Sequence, residues 1–212
     1  MIRFIQICFV LLLGAAMVAG YSLAGSGESR LSLGPDIAAT KPSADGLESA
    51  VFAGGCFWCL ESEFRAQPGV IYTESGYTGG TLENPTYQQV IGADTGHAEV
   101  VRIWFDPSIT DYRTLAVFFF TKAHDPTQLN RQGVDVGPQY RSAVFPETEE
   151  RRAMIKELIA EVDATDAWRD PIVTTIEPAA AFYRAEEYHQ QYYEKYHDRT
   201  GRDHIRVILK GK

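Results

Sequence analysis

The stretch Val51-Phe52-Ala53-Gly54-Gly55-Cys56-Phe57-Trp58-Cys59-Leu60 decides how this chain is read. A short apolar run stops at two glycines, which let the backbone turn sharply at the end of a strand. Cys56 to Arg65 then carries no Gly or Pro and reads as a helix. Cys56 therefore falls at or near a helix N-terminus, where free N–H groups and the helix dipole favour negative charge. A thiol there is expected to ionise more easily than a free one, whose pKa is about 8.5. Cys59 follows about one turn later, within the separation a disulfide allows. The stretch reads as strand, turn and helix, carrying a nucleophilic thiolate with a resolving thiol beside it.

Upstream, Arg3 precedes an almost entirely apolar run from Phe4 to Ala19, and Ser22-Leu23-Ala24 offers a small-x-small cleavage site. Residues 1–24 have the layout of a secretory signal peptide, with an uncleaved anchor as the alternative. Residues 25–46, rich in Gly, Ser, Ala and Pro, read as a flexible linker. Residues 47–212 form one domain, long enough to bury a core. The expected address is the periplasm or the cell exterior, with membrane tethering if the N-terminal segment stays.

The net charge of −8 and pI of about 5.1, without a basic cluster, argue against nucleic-acid binding. Of the three cysteines, Cys8 would leave with the signal peptide. Cys56 and Cys59 alone are too few for a disulfide framework, and in an oxidising compartment such a pair reads as redox-active. Nothing in the sequence demands a partner subunit, so a monomer is expected.

Downstream, Gly69 to Tyr77 reads as a strand and Thr86 to Ile91 as a short helix. His97 to Phe105 is the clearest strand, with Glu99, Val101, Ile103 and Phe105 on one face and Val100, Arg102 and Trp104 on the other. Asp111 to Lys122 reads as a helix with Leu115, Phe118 and Phe119 inward. Ala123 to Arg141 loses all periodicity, and a loop of that length with so polar a content points to function. Ser142 to Phe145 reads as a strand. Pro146 opens a helix to about Val162 whose stripe is Met154, Ile155, Leu158, Ile159 and Val162. Strands at Ile172 to Ile176 and Ile205 to Leu209 flank a helix from Arg184 to His197. Strands and helices thus alternate, which predicts an α/β or α+β domain of two layers, sheet and helices.

Three readings of the cysteine pair stand side by side. Half a zinc site would need further ligands that no second cysteine pair or close histidine pair supplies. A thioredoxin-like dithiol and a catalytic thiol with its resolver both fit the strand-turn-helix position. Phe57 and Trp58 make either core or an apolar wall beside the sulfur, and such a wall suits a thioether-like group. Glu99 ends an apolar stripe. If that face is buried, its carboxyl is held protonated and able to act as a general acid; if the strand end frays, it is a solvated carboxylate. Tyr87, Asp135 and Tyr140 sit on or beside the two long loops, where tyrosine hydroxyls can donate to an oxyanion. Tyr188, Tyr192 and Tyr196 recur every four residues as a core stripe, and His97 and the other histidines read as structural or surface groups.

Several motifs resemble one family in order from about residue 50 to 196. They are Gly55-Cys56-Phe57-Trp58, Gly76-Tyr77-Thr78-Gly79-Gly80, Asn84-Pro85-Thr86-Tyr87 and Thr95-Gly96-His97-Ala98-Glu99-Val100. His124-Asp125-Pro126-Thr127, Asn130-Arg131-Gln132-Gly133, Gln139-Tyr140-Arg141-Ser142 and Ala185-Glu186-Glu187-Tyr188-His189-Gln190 continue the series. Together they look like peptide methionine sulfoxide reductase A. The resemblance implies a two-layer α/β sandwich around a mixed sheet, and reduction of the S epimer of methionine sulfoxide, free or in oxidised proteins.

It implies Cys56 as nucleophile, Phe57 and Trp58 as the substrate-methyl pocket, and Glu99 as proton donor. Tyr87 and Tyr140 assist at the sulfoxide oxygen, and Asp135 is the loop acid. The Cys56 thiolate would attack the sulfoxide sulfur and become a sulfenic acid, which Cys59 converts to a disulfide for an external, thioredoxin-like dithiol to reduce. No metal or organic cofactor is implied. The chain departs from the family pattern in having no cysteine in residues 190–212 and Ile91 at another position that is often cysteine. Cys59 is left as the internal resolver. An exported enzyme also cannot use cytosolic thioredoxin, so the expected donor is periplasmic or membrane-tethered. A general thiol–disulfide oxidoreductase is the rival reading.

Overall fold

A computed structural model describes residues 43 and 45–203. The signal segment, most of the linker, Cys8 and the last strand expected at Ile205 to Leu209 lie outside the described residues.

Six strands form one mixed sheet. In chain order they are β1 (Glu48–Gly54), β2 (Val70–Thr78), β3 (Ala98–Phe105), then β6 (Ser142–Val144), β7 (Thr175–Ile176) and β8 (Tyr183–Arg184), with β4 (Arg131–Gln132) and β5 (Asp135–Val136) in a separate hairpin. Their order across the sheet is β7-β6-β1-β3-β2-β8. All neighbours pair antiparallel except β6 and β7, which are parallel. β3 lies between β1 and β2, with Phe52 opposite Val101 and Tyr77 opposite Glu99. The register therefore brings the end of β1, where Gly54 leads to Cys56, toward the Glu99 end of β3.

One face of the sheet is covered by helices α1 (Phe57–Arg65), α3 (Tyr112–Phe118) and α4 (Glu149–Asp163). Phe52, Val101, Ile103 and Phe105 from the sheet pack with Leu60, Phe64, Leu115, Ile155 and Leu158 in the main core. The helix α1 buries Phe57, Leu60, Glu61 and Phe64, the spacing of one helical face. The opposite face has a smaller cluster of Val51, Ala53, Val100, Ala143 and Phe145, closed by Phe182. Arg102 lies on this side with its guanidinium 3.7 Å from the Phe182 ring centroid. The two-layer sheet-and-helix architecture predicted from the alternation is the one observed.

Several boundaries differ from the sequence reading. Helix α4 starts at Glu149, because Thr148 caps it by accepting from the Arg151 N–H, and Pro146 lies in the approach. Helix α3 gives way at Phe119 to a π-helical turn through Ala123. The long polar loop is partly ordered: β4 (Arg131–Gln132) and β5 (Asp135–Val136) form a small hairpin, and a 3-10 turn follows at Pro138–Tyr140. The strand expected over 172–176 shrinks to β7. The helix expected from Arg184 breaks up: β8 ends at Arg184, a 3-10 turn spans Glu187–His189, and α5 runs only from Tyr192 to Thr200. Gln191, at φ 45°, interrupts the helical path. The spacing of four between Tyr188 and Tyr192 therefore spans two separate elements, and the tyrosine stripe is not core. Tyr188 is 58% exposed and no residue of α5 is buried.

Candidate active site

Gly55, at φ +90°, makes the turn that sets Cys56 at the start of α1. A Cβ at residue 55 would lie 2.5 Å from Gln132 of the hairpin, so the turn and the long loop are in close contact. Cys56 caps the helix with its backbone carbonyl, which accepts from the Cys59 and Leu60 N–H groups at 3.1 and 3.2 Å. Neither cysteine is in a disulfide, and both are partly exposed.

Glu99 is 1% exposed, and its Oε2 accepts from the Phe57 N–H at 3.0 Å. Burial pushes the carboxyl up to about 8, against the opposing pull of that N–H; the charges of Asp135 and Cys59 add to the rise. Oε1 is left to carry the proton that such a group holds at neutral pH. The frayed-strand reading of Glu99 is thereby excluded, since its neighbours Ala98 and Val100 are fully buried.

The expected acidity of Cys56 is overturned. The hydrogen bond with the Cys59 side chain, then burial, then the charges of Cys59 and Glu99 push this thiol up rather than down. The Cys59 N–H at the helix start pulls the other way and is outweighed, while the Phe57 N–H is taken by Glu99. At neutral pH Cys56 is a neutral thiol beside a carboxylic acid.

The aromatic wall forms as predicted, with Phe57 deeper than Trp58. Phe57 is 1% exposed and belongs to the core, and its ring lies 6.4 Å from that of Tyr87 and 5.9 Å from that of Tyr77. Trp58 is partly exposed, stacked on Tyr192 at 3.8 Å. Tyr87 opens a short helix, α2 (Tyr87–Ile91), under a capping box of Thr86 and Gln89. Its N–H donates to Glu186 Oε1 at 2.9 Å, and Glu186 Oε2 accepts from the Tyr77 hydroxyl at the same distance. Burial and the charge of Glu99 raise both Tyr87 and Tyr140, with the nearby Tyr140 hydroxyl offsetting part of the rise at Tyr87. They therefore stay protonated and can donate. Asp135, on the hairpin, is raised by burial. All eight residues singled out in the sequence thus gather at one site.

Sequence reading missed the groups that hold them. His189 is 1% exposed, and its Nδ1 accepts from the Trp58 indole N–H at 2.9 Å. Its ring also lies 4.5 Å from that of Tyr87 and 4.9 Å from that of Phe57. Glu61, buried and raised by burial, ties α1 to Thr73 at 2.9 Å and to the Gln191 N–H at 2.8 Å. His97 is a brace, as read: Nδ1 accepts from the Gly80 N–H, and Nε2 bonds the Leu82 carbonyl oxygen. Among the described residues, no group of three or more His, Cys, Asp or Glu side chains could hold a metal ion.

A dithiol at a helix start, set between an apolar ring wall and a buried acid with two hydroxyl donors nearby, is an arrangement suited to thiol-dependent reduction. The family model described as "Peptide methionine sulfoxide reductase" matches residues 48–211, and the chain belongs to that family. It is 54% identical over 154 residues to the peptide methionine sulfoxide reductase MsrA of Deinococcus radiodurans, covering 73% of this chain and 74% of that protein. Among solved structures it is similar to reduced Mxr1 of Saccharomyces cerevisiae (31% identity, TM-score 0.69, covering 81% of this chain and 94% of that one). It is also similar to methionine sulfoxide reductase A of Corynebacterium diphtheriae (35% identity, TM-score 0.62, covering 74% and 76%). The yeast protein is also solved in complex with Trx2, at 27% identity and TM-score 0.50, covering 72% and 88%. The protein is a peptide-methionine (S)-S-oxide reductase, in agreement with the resemblance carried by its motifs.

Proposed function

We propose that Cys56 is the nucleophile of this reduction and Glu99 its proton donor. The observation that carries the assignment is the buried Glu99 carboxyl, with a pKa of about 8, bonded to the N–H of the residue after Cys56. The substrate methyl group lies against Phe57 and Trp58, where sulfur–aromatic contacts are favourable. The sulfoxide oxygen then reaches Glu99 and the hydroxyls of Tyr87 and Tyr140.

Glu99 gives its proton to that oxygen, which makes the sulfur electrophilic. The Cys56 thiol passes its own proton to the carboxylate so formed, and its sulfur attacks the sulfoxide sulfur. As the S–O bond of the substrate breaks, the hydroxyl group moves to Cys56, leaving methionine, a Cys56 sulfenic acid and a reprotonated Glu99. The sulfoxide sulfur gains the two electrons that Cys56 loses. A thiol that is neutral at rest is thus activated by substrate. Asp135, close enough to raise Glu99, helps keep that proton in place.

Cys59 displaces water from the sulfenic acid to form a disulfide, which an external dithiol reduces. The complex of yeast Mxr1 with Trx2 supports a thioredoxin-like donor. The apolar run from Phe4 to Ala19 supports export, and with it a periplasmic donor and repair of oxidised proteins there. The enzyme acts as a monomer on protein-bound and free sulfoxide.

The assay is incubation of the domain with each sulfoxide epimer and dithiothreitol. Methionine from the S epimer that disappears in Cys56→Ser supports the assignment. Insulin reduction without sulfoxide turnover contradicts it.

A further inference from the structure

Helix α5 places no residue in the core, yet its first turn is fastened to α1 at several points. Tyr192 stacks on Trp58, with ring planes 8° from parallel. Glu194 pairs with Arg65 at 2.8 Å. The Gln191 N–H donates to buried Glu61, at the residue whose φ of 45° starts the helix. Between these anchors Tyr193 holds its hydroxyl 2.8 Å from the Cys59 sulfur. The Cys59 side chain in turn hydrogen-bonds that of Cys56. A chain of contacts thus runs from an oxygen on α5 through one sulfur to the other.

We propose that Tyr193 prepares Cys59 for disulfide formation, donating its O–H to the Cys59 thiolate and aiming that sulfur at Cys56. The proposal rests on the reading that Cys59 resolves the sulfenic acid. A buried apolar partner would pack against a thiol without favouring its ionised form, whereas a hydroxyl favours the thiolate and fixes its direction. Cys59 is partly exposed, so its proton leaves to solvent. The thiolate then attacks the Cys56 sulfur, the S–S bond forms and the S–O bond breaks. The departing hydroxide takes the Glu99 proton and leaves as water. Each sulfur ends at the disulfide level: Cys59 is oxidised, Cys56 is reduced from the sulfenic level, and no outside oxidant is needed. Tyr193 acts in this half of the cycle only, since the partner of the substrate wall is its neighbour Tyr192.

The test is single-turnover kinetics on Tyr193→Phe and Cys59→Ser with methionine sulfoxide and no reductant. Tyr193→Phe is expected to release its first methionine at the wild-type rate and to keep the wild-type KM. It should form the disulfide about tenfold more slowly, in line with loss of a hydrogen bond to a charged group. Its sulfenic acid should accumulate as a dimedone adduct. Disulfide formation at the wild-type rate in Tyr193→Phe, with Cys59→Ser blocked, overturns the role of Tyr193. Disulfide formation or unimpaired dithiol-dependent turnover in Cys59→Ser overturns the underlying reading of Cys59 instead. Should Tyr193→Phe lose its first turnover, 3-fluorotyrosine at position 193 replaces it. A disulfide rate that rises with hydroxyl acidity supports the proposal, and an unchanged rate overturns it.

Discussion

Trp58 donates its indole N–H to His189 Nδ1 at 2.9 Å, across a separation of 131 residues in the chain. The bond fixes the imidazole tautomer, leaving the proton on Nε2, which has no hydrogen-bond partner among the described residues and lies 3.9 Å from Glu186 Oε2. It also fixes the outer wall of the substrate pocket. Replacement by His189→Phe strands the indole N–H, a loss of about 1–3 kcal/mol. The expected result is a KM for methionine sulfoxide raised about tenfold with a smaller change in kcat, read from steady-state kinetics.

The same histidine makes stability depend on acid. Burial lowers its pKa below the ordinary 6.5, so the unfolded chain takes up the proton first. The contribution is complete above 6.5 and is lost as pH falls from there toward the folded-state value. Thermal melts between pH 7 and 5 are expected to show a falling Tm that flattens in His189→Phe.

Glu99 has the opposite sign. Its folded pKa of about 8 lies above the ordinary 4.5, so the folded protein holds a proton that the unfolded chain releases. Stability falls as pH rises from 4.5 to about 8, and turnover falls as pH rises through about 8, when the proton donor ionises. Glu99→Gln is expected to lose at least about 100-fold in kcat, within the usual range for general acid catalysis. It should also lose the alkaline limb and melt at a higher temperature at pH 8.

Tyr87 and Tyr140 share the sulfoxide oxygen, so their removal is not additive. Tyr87→Phe and Tyr140→Phe are each expected to lower kcat about tenfold, as a lost hydrogen bond to developing charge does. The double variant should lose less than the product of the two. Parallel kinetics on the three variants measure the coupling.

Gly55→Ala combines a left-handed backbone with a Cβ 2.5 Å from Gln132. The strain is expected to be on the order of 1–3 kcal/mol. Tm should drop by several degrees and kcat should fall with it, because the displaced residue is the neighbour of Cys56.

The sequence made β1, the turn and α1 readable because their signals are local: an apolar run, two glycines and a helical face. The period-two pattern of β3 put Glu99 on the covered face for the same reason. Long-range partners were not readable. Nothing near Cys56 in the chain announces that it will be buried beside Glu99, where the Cys59 side chain, burial and charge outweigh the pull of the helix start. His189 and Tyr193 were invisible as site groups, since each acts on a residue more than a hundred positions away. The tyrosine spacing misled because a 3-10 turn and the left-handed Gln191 break the helix that the spacing presupposes.

In the proposed reaction the Cys56 sulfur takes the sulfoxide oxygen while Glu99 supplies the proton. Mass spectrometry of Cys59→Ser after one turnover with 18O-labelled S-sulfoxide tests it most directly, with dimedone-free quench and peptide mapping. One 18O atom is expected on the peptide containing Cys56, formed far more slowly when Glu99→Gln is added. Methionine released with no label on Cys56, or labelling that proceeds at an unchanged rate without Glu99, would contradict it.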